Sequence, residues 1–189
     1  MSTGRLRRRS ATLGGFRCTG AQGDRRVANE GYFSGLDSRL EQRGFVTLPR
    51  GPLDLPVDRT YFRRKLSITK FGVVDTFCIV KCVDANLTPS FVKSFSEQAF
   101  TFALKNKIWI PRGCGGGVVV YPLLVIDSVP DDVRSFVEGY CPKHWASNEF
   151  PVVLETSSRN LLYCRSTPLW GCAYYRGFRK EAESLFRLE

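Results

Sequence analysis

Three carboxylates stand where an α/β sheet tends to put reactive groups: Asp75 inside one apolar run, and Asp127 and Glu155 at the ends of two others. Carboxylates that converge at strand ends can hold Mg²⁺, and an ion held there activates water for attack on a phosphodiester. On that reading the chain is a metal-dependent nuclease, with Asp75, Asp127 and Glu155 as its catalytic set and Mg²⁺ as its cofactor. The lysine that nucleases of this kind carry two residues after the last acid is absent, because Ser157 stands there. The competing reading is structural, with Asp127 capping a helix and Glu155 lying on a surface hairpin. Outside the nuclease alternative no cofactor and no metal site are expected.

Two basic runs suggest a second chemistry. Arg59, Arg63, Arg64 and Lys65 interleave with Tyr61 and Phe62, and Arg176, Arg179 and Lys180 recur near the C-terminus. Cations meet phosphates and aromatic faces stack on bases, so the pattern suits single-stranded nucleic acid. The competing reading seats the aromatic rings in the core and turns the cations to water. A third motif, Arg112-Gly113-Cys114-Gly115-Gly116-Gly117, would wrap an anion with the backbone N–H groups of Gly113, Gly115 and Gly116 and the Arg112 side chain. The strongest phosphate loops run from strand into helix, whereas this one runs into a strand, so a plain turn competes. Cys141 and His144 lie three apart and would supply half a zinc site or a thiol–imidazole pair, but no second pair has matching spacing.

The elements that must position these residues are organised around 108–127, which reads as a short strand at Ile108–Ile110, the glycine loop, and a buried strand from Val118 to Ile126. Residues 66–84 alternate as a central strand, with a break at Gly72. Thr88 and Pro89 cap and start a helix carrying Phe91, Phe95, Ala99 and Phe102 to about residue 106. A second helix covers about 129–140, with Asp131 and Asp132 in its first turn, and a third about 171–188. Residues 151–155 and 161–164 flank a hairpin turn. The pattern predicts an α/β or α+β domain with a mixed sheet of four or five strands and about three helices.

The formal charge of +10 is unevenly spread, with ten Arg against four acids in residues 1–51. Residues 1–31 have no apolar period, Ser34–Arg43 would make a short helix stopped by Gly44, and the prolines at 49, 52 and 56 read as a linker. The expected division is a basic, mostly disordered arm and linker at 1–51 and one α/β domain at 52–189. The arm's Arg-rich, acid-poor start also fits an organellar transit peptide. Seven cysteines at irregular spacing, no secretory apolar region and no run long enough to span a bilayer predict reduced thiols and an intracellular, cytoplasmic protein. The leading expectation is a small basic nucleic-acid-associated binding module. A nuclease and a protein-interaction module of unknown role are its alternatives.

Overall fold

The computed structural model describes residues 20–49, 57–67, 72–83, 86–108, 110–111, 114–166 and 172–188, with side chains described from Gly31 in the first helix and from Tyr175 in the last. The first element is a helix, α1 (Gly20–Gln42), followed by strands β1 (Val46–Thr47), β2 (Arg59–Ser67) and β3 (Gly72–Cys82). Helix α2 (Pro89–Asn106) leads to β4 (Gly116–Ile126), and α3 (Asp131–Gly139) to β5 (Ser147–Glu149) and β6 (Val152–Glu155). β7 (Asn160–Tyr163) and α4 (Cys172–Phe186) complete the order. The strands form one mixed sheet in the order β1-β2-β3-β4-β6-β7, with β5 also on β4, so the class is α/β. β3, β4, β5 and β6 run parallel, while β1, β2 and β7 pair antiparallel at the two sides.

Among the described residues the sheet has seven strands, more than the four or five expected. β1 and β5 are too short to show an alternation of their own. β2 is made from the basic run, whose cations conceal the period; it folds back on β3 in continuous register from Arg59 opposite Val80 to Ser67 opposite Gly72. Ile108 and Ile110, expected as strand, are not. The Ile108 N–H goes to the Asp75 carboxylate at 2.6 Å, and the Ile108 and Ile110 carbonyls accept from Lys107 Nζ at 2.8 and 2.9 Å. Side chains thus satisfy that backbone where a ladder was expected.

Helices cover both faces of the sheet. Val119, Tyr121, Leu123 and Val125 of β4 join Val74, Cys78 and Val80 of β3 in a core shared with α1 and α4. The alternate residues Val118, Val120, Leu124 and Ile126 join Phe77 and Ile79 in a second core with α2 and α3. Period-2 alternation in a strand sends neighbours to opposite faces, so the strands at the centre read as unbroken apolar runs.

Within β4, Pro122 removes one ladder donor, and the sheet is interrupted to match. The carbonyls of Val120 and Ile126 accept from Phe150 and Thr156, so even-numbered positions of β4 face the β5–β6 side. Pro122 therefore has its missing N–H toward the break between β5 and β6, where Phe150 and Pro151 lie outside both strands.

The helix at the N-terminal side is longer than the expected Ser34–Arg43, beginning at Gly20. It closes as expected at Gly44, whose φ of 79° lets the Gly44 N–H reach the Glu41 carbonyl and the Phe45 N–H reach that of Leu40. Tyr32, Phe33, Leu36, Leu40 and Phe45 are all buried in the α1–α4 core. Residues 32–45, which the expected division put in the arm, thus pack an apolar stripe against the sheet. Residues 1–19, with the Arg-rich start, and 50–56, with most of the linker, lie outside the described residues. No described helix is long and apolar enough to cross a membrane.

Candidate functional site

The structure does not bring the three carboxylates together. Asp75 sits opposite Val118 near the amino ends of the parallel strands, while Asp127 follows the carboxyl end of β4. At about 3.3 Å per residue, nine residues separate them by roughly 30 Å, far beyond a shared cation. Asp75 is fully buried on β3, where it accepts from Arg64 Nε at 2.7 Å, Arg64 Nη2 at 3.1 Å and the Ile108 N–H at 2.6 Å. Its lone pairs are spent on holding β2 and the α2–β4 crossover. Glu155 is buried too and accepts from the Val129 N–H at 2.8 Å, from Arg134 Nη2 at 3.0 Å and from the Ser158 hydroxyl. Burial alone would raise its pKa, but the Ser158, Val129 and Arg134 bonds outweigh it and hold the carboxyl below its ordinary value. Glu155, and not Asp127, thus serves the start of α3, while Asp127 is exposed with a single 3.4 Å contact from Thr156. Glu155 stands at the β6–β7 hairpin as expected, but buried, and it takes the helix-start role expected of Asp127.

The basic residues divide. On β2, Arg63 donates to Glu181 at 2.6 Å and lies over the Phe45 ring at 4.3 Å; Arg59 lies over Phe33, and Arg64 is bound to Asp75. Glu181 also accepts from the fully buried Tyr121 at 2.7 Å, so Arg63, Glu181 and Tyr121 tie α4 to the sheet. Burial and then the Glu181 carboxylate push the Tyr121 hydroxyl well up, keeping it a donor. On α4, Arg179 caps the chain after β7 by donating to the carbonyls of Cys164, Arg165 and Ser166. Lys65, Arg176 and Lys180 are exposed. The expected nucleic-acid set is thus split between internal contacts and open surface.

Of the glycine loop, Arg112 and Gly113 lie outside the described residues. Gly72 and Gly116 allow backbones to approach the loop closely. A Cβ on Gly72 would stand 2.0 Å from the Gly115 carbonyl oxygen, which accepts the Val73 N–H at 2.8 Å, and one on Gly116 would stand 2.7 Å from that of Ile110. Gly115 also has φ of 91°, where a side chain is strained.

Cys141 and His144 point to opposite faces. Cys141 Sγ contacts the Tyr175 hydroxyl at 2.8 Å in the α1–α4 core. His144 stacks on Phe100 of α2, ring centroids 3.8 Å apart, with Nε2 2.6 Å from Glu149. Glu149 is buried and also accepts from the Ser96 hydroxyl. This gathers a hydroxyl, a carboxylate and an imidazole, but in an order that does not activate a nucleophile. Here the carboxylate stands between the other two, whereas a catalytic imidazole must itself receive the hydroxyl proton. Sequence reasoning missed Ser96 and Glu149 because each lies in an ordinary-looking element, and no local spacing joins them.

The same reasoning missed Arg187. With Arg176 and Lys180 it completes a set of exposed cations four and seven residues apart, one stripe along the solvent side of α4 and just past its end. None of the three makes a side-chain hydrogen bond or ion pair among the described residues, and Glu183 on the same helix accepts from Tyr163. An α/β sheet covered on both faces, with its buried acids internally paired and a basic helix stripe on its outside, is the class these observations define. Compared with protein families, with curated proteins and with solved structures, the chain matches none.

Proposed function

We propose that the chain is a nucleic-acid-associated α/β binding module that holds phosphates along the outer stripe of α4. The observation that carries this reading is the exposure of Arg176, Lys180 and Arg187 at helical spacing, in a chain of formal charge +10 whose buried acids already have internal partners. Lys and Arg so placed exchange condensed counterions for phosphates, which gives affinity without sequence preference. Lys65, exposed on β2, adds to the general attraction.

Salt-titrated binding of a single-stranded oligonucleotide tests the proposal. Replacing Arg176, Lys180 and Arg187 together by Ala should weaken binding across sequences and lower the log–log salt slope by about 0.7 per lost contact. Wild-type protein that shows no salt-sensitive binding would sink it.

A second reading, a protein-interaction module, is favoured by the outer edge of β2. β1 covers only Tyr61 and Phe62, so the edge beyond them is open among the described residues, and Leu66 on it is 71% exposed. Leu66→Lys would remove partner capture on that reading and leave nucleic-acid binding intact on the first.

A further inference from the structure

Cys141, on the segment after α3, and Cys164, one residue past β7, are drawn together by the backbone around them. Arg165 donates its N–H to the Glu138 carbonyl at 3.0 Å, and the side chains of the same two residues pair at 2.9 Å. With those segments side by side Cys141 Sγ lies 2.8 Å from the Tyr175 hydroxyl, and Cys164 is close enough to raise both the Cys141 thiol and that hydroxyl. Cys164 is buried and its sulfur is 3.1 Å from the Ser166 hydroxyl, while Cys141 is only half-buried. Cys141 is thus the more accessible residue of the pair and Cys164 the deeper one.

We propose that Cys141 and Cys164 form a redox dithiol, oxidised by a low-molecular-weight disulfide of the glutathione class to a bond that clips the end of α3 to the end of β7. Cys141 Sγ attacks one sulfur of the small disulfide. That S–S bond breaks, a mixed disulfide forms on Cys141, and one small thiol leaves with the proton Cys141 gave up. Cys164 Sγ then attacks the Cys141 sulfur, and the second small thiol leaves with the Cys164 proton. Two protein thiols are oxidised, one disulfide is reduced to two thiols, and no further reagent is needed. Burial pushes the Cys141 thiol up, so the first attack is slow at neutral pH and quickens by roughly tenfold per pH unit while the thiol form dominates.

The full chain is incubated with oxidised glutathione, its remaining thiols are alkylated, and it is digested with trypsin without reduction. Cleavage after Arg134, Lys143, Arg159, Arg165 and Arg176 places Cys141 in peptide 135–143, Cys164 in 160–165 and Cys172 in 166–176. In wild-type protein peptides 135–143 and 160–165 should appear joined, at a rate that climbs with pH, and Cys164→Ser should stop at glutathione on Cys141. Should that variant not fold, the wild-type peptide map is decisive alone. A link between Cys164 and Cys172, glutathione persisting on wild-type Cys141, or both peptides still alkylated after long incubation would each overturn the proposal.

Discussion

β2 carries four cations in nine residues and α4 three in fifteen, and most of them are put to opposite uses. β2 lies in a sheet covered on both faces, so successive side chains go alternately toward α1 and α4 or toward α2 and α3. Arg63 accordingly meets Glu181 and Phe45 on one side, and Arg64 meets Asp75 on the other. Arg63 is largely enclosed and meets both an acid and a ring, whereas Arg64 is paired with Asp75 at a half-open position. A helix on the outside of the same sheet has one inward stripe and one outward. Tyr175, Phe178, Ala182 and Leu185 take the first, leaving Arg176 and Lys180 on the second. A basic run therefore predicts a ligand surface on a helix better than on a strand of a three-layer fold.

The contrast breaks most sharply at Glu181. Glu181→Ala would leave Arg63, whose side chain is 16% exposed, and the buried Tyr121 hydroxyl without their acceptor. Urea denaturation should show a loss of about 3–5 kcal/mol. Asp75→Ala should cost less, about 2 kcal/mol, because it orphans the Ile108 N–H while Arg64, 45% exposed, turns to water. An equal or larger loss at Asp75 would mean that Arg64 is held as firmly as Arg63.

Glu155 sharpens the comparison through pH. Its folded pKa is depressed below the ordinary carboxyl value, so its contribution is complete above the unfolded value, near pH 4, and is lost as pH falls through the folded one. Denaturation midpoints of wild type and Glu155→Gln should differ at about pH 6 and converge as acid is added toward about pH 3. A constant gap over that range would show that proton uptake at Glu155 is not what is measured. The smallest stability effect belongs to α4: Arg176, Lys180 and Arg187 to Ala should stay within about 0.5 kcal/mol of wild type. A marked drop there would place those cations in packing and away from solvent.

Much of the fold was legible because it rests on short-range patterns. Thr88 does accept the Phe91 N–H and Pro89 does open α2, and the runs at Val118–Ile126, 152–155 and 160–163 are strands. What escaped depends on pairing across the chain. β2 is a strand because β3 offers it a ladder, and its cations are tolerated there because Asp75 and Glu181 lie 11 and 118 residues away in sequence. The expected carboxylate cluster failed for a related reason: residues at strand positions share a cleft only if the register puts them at the same end, and register is invisible in a single sequence. His144 was placed in its loop, but its partners Glu149 and Phe100, and the Ser96 that donates to Glu149, come from two other elements.

The docking of α1 on α4 has a consequence in time. The Tyr32 hydroxyl donates to the Phe186 carbonyl and Arg39 to that of Arg187, contacts that span 154 and 148 residues. During synthesis, at about 5–20 residues per second, roughly 7–30 s pass between the appearance of α1 and that of its partner. Through that interval Leu36, Leu40 and the face of β3 and β4 they share lack the α4 side chains that complete their core. The α2–α3 core needs only residues up to 162, so it can close while the α1 side still waits for α4.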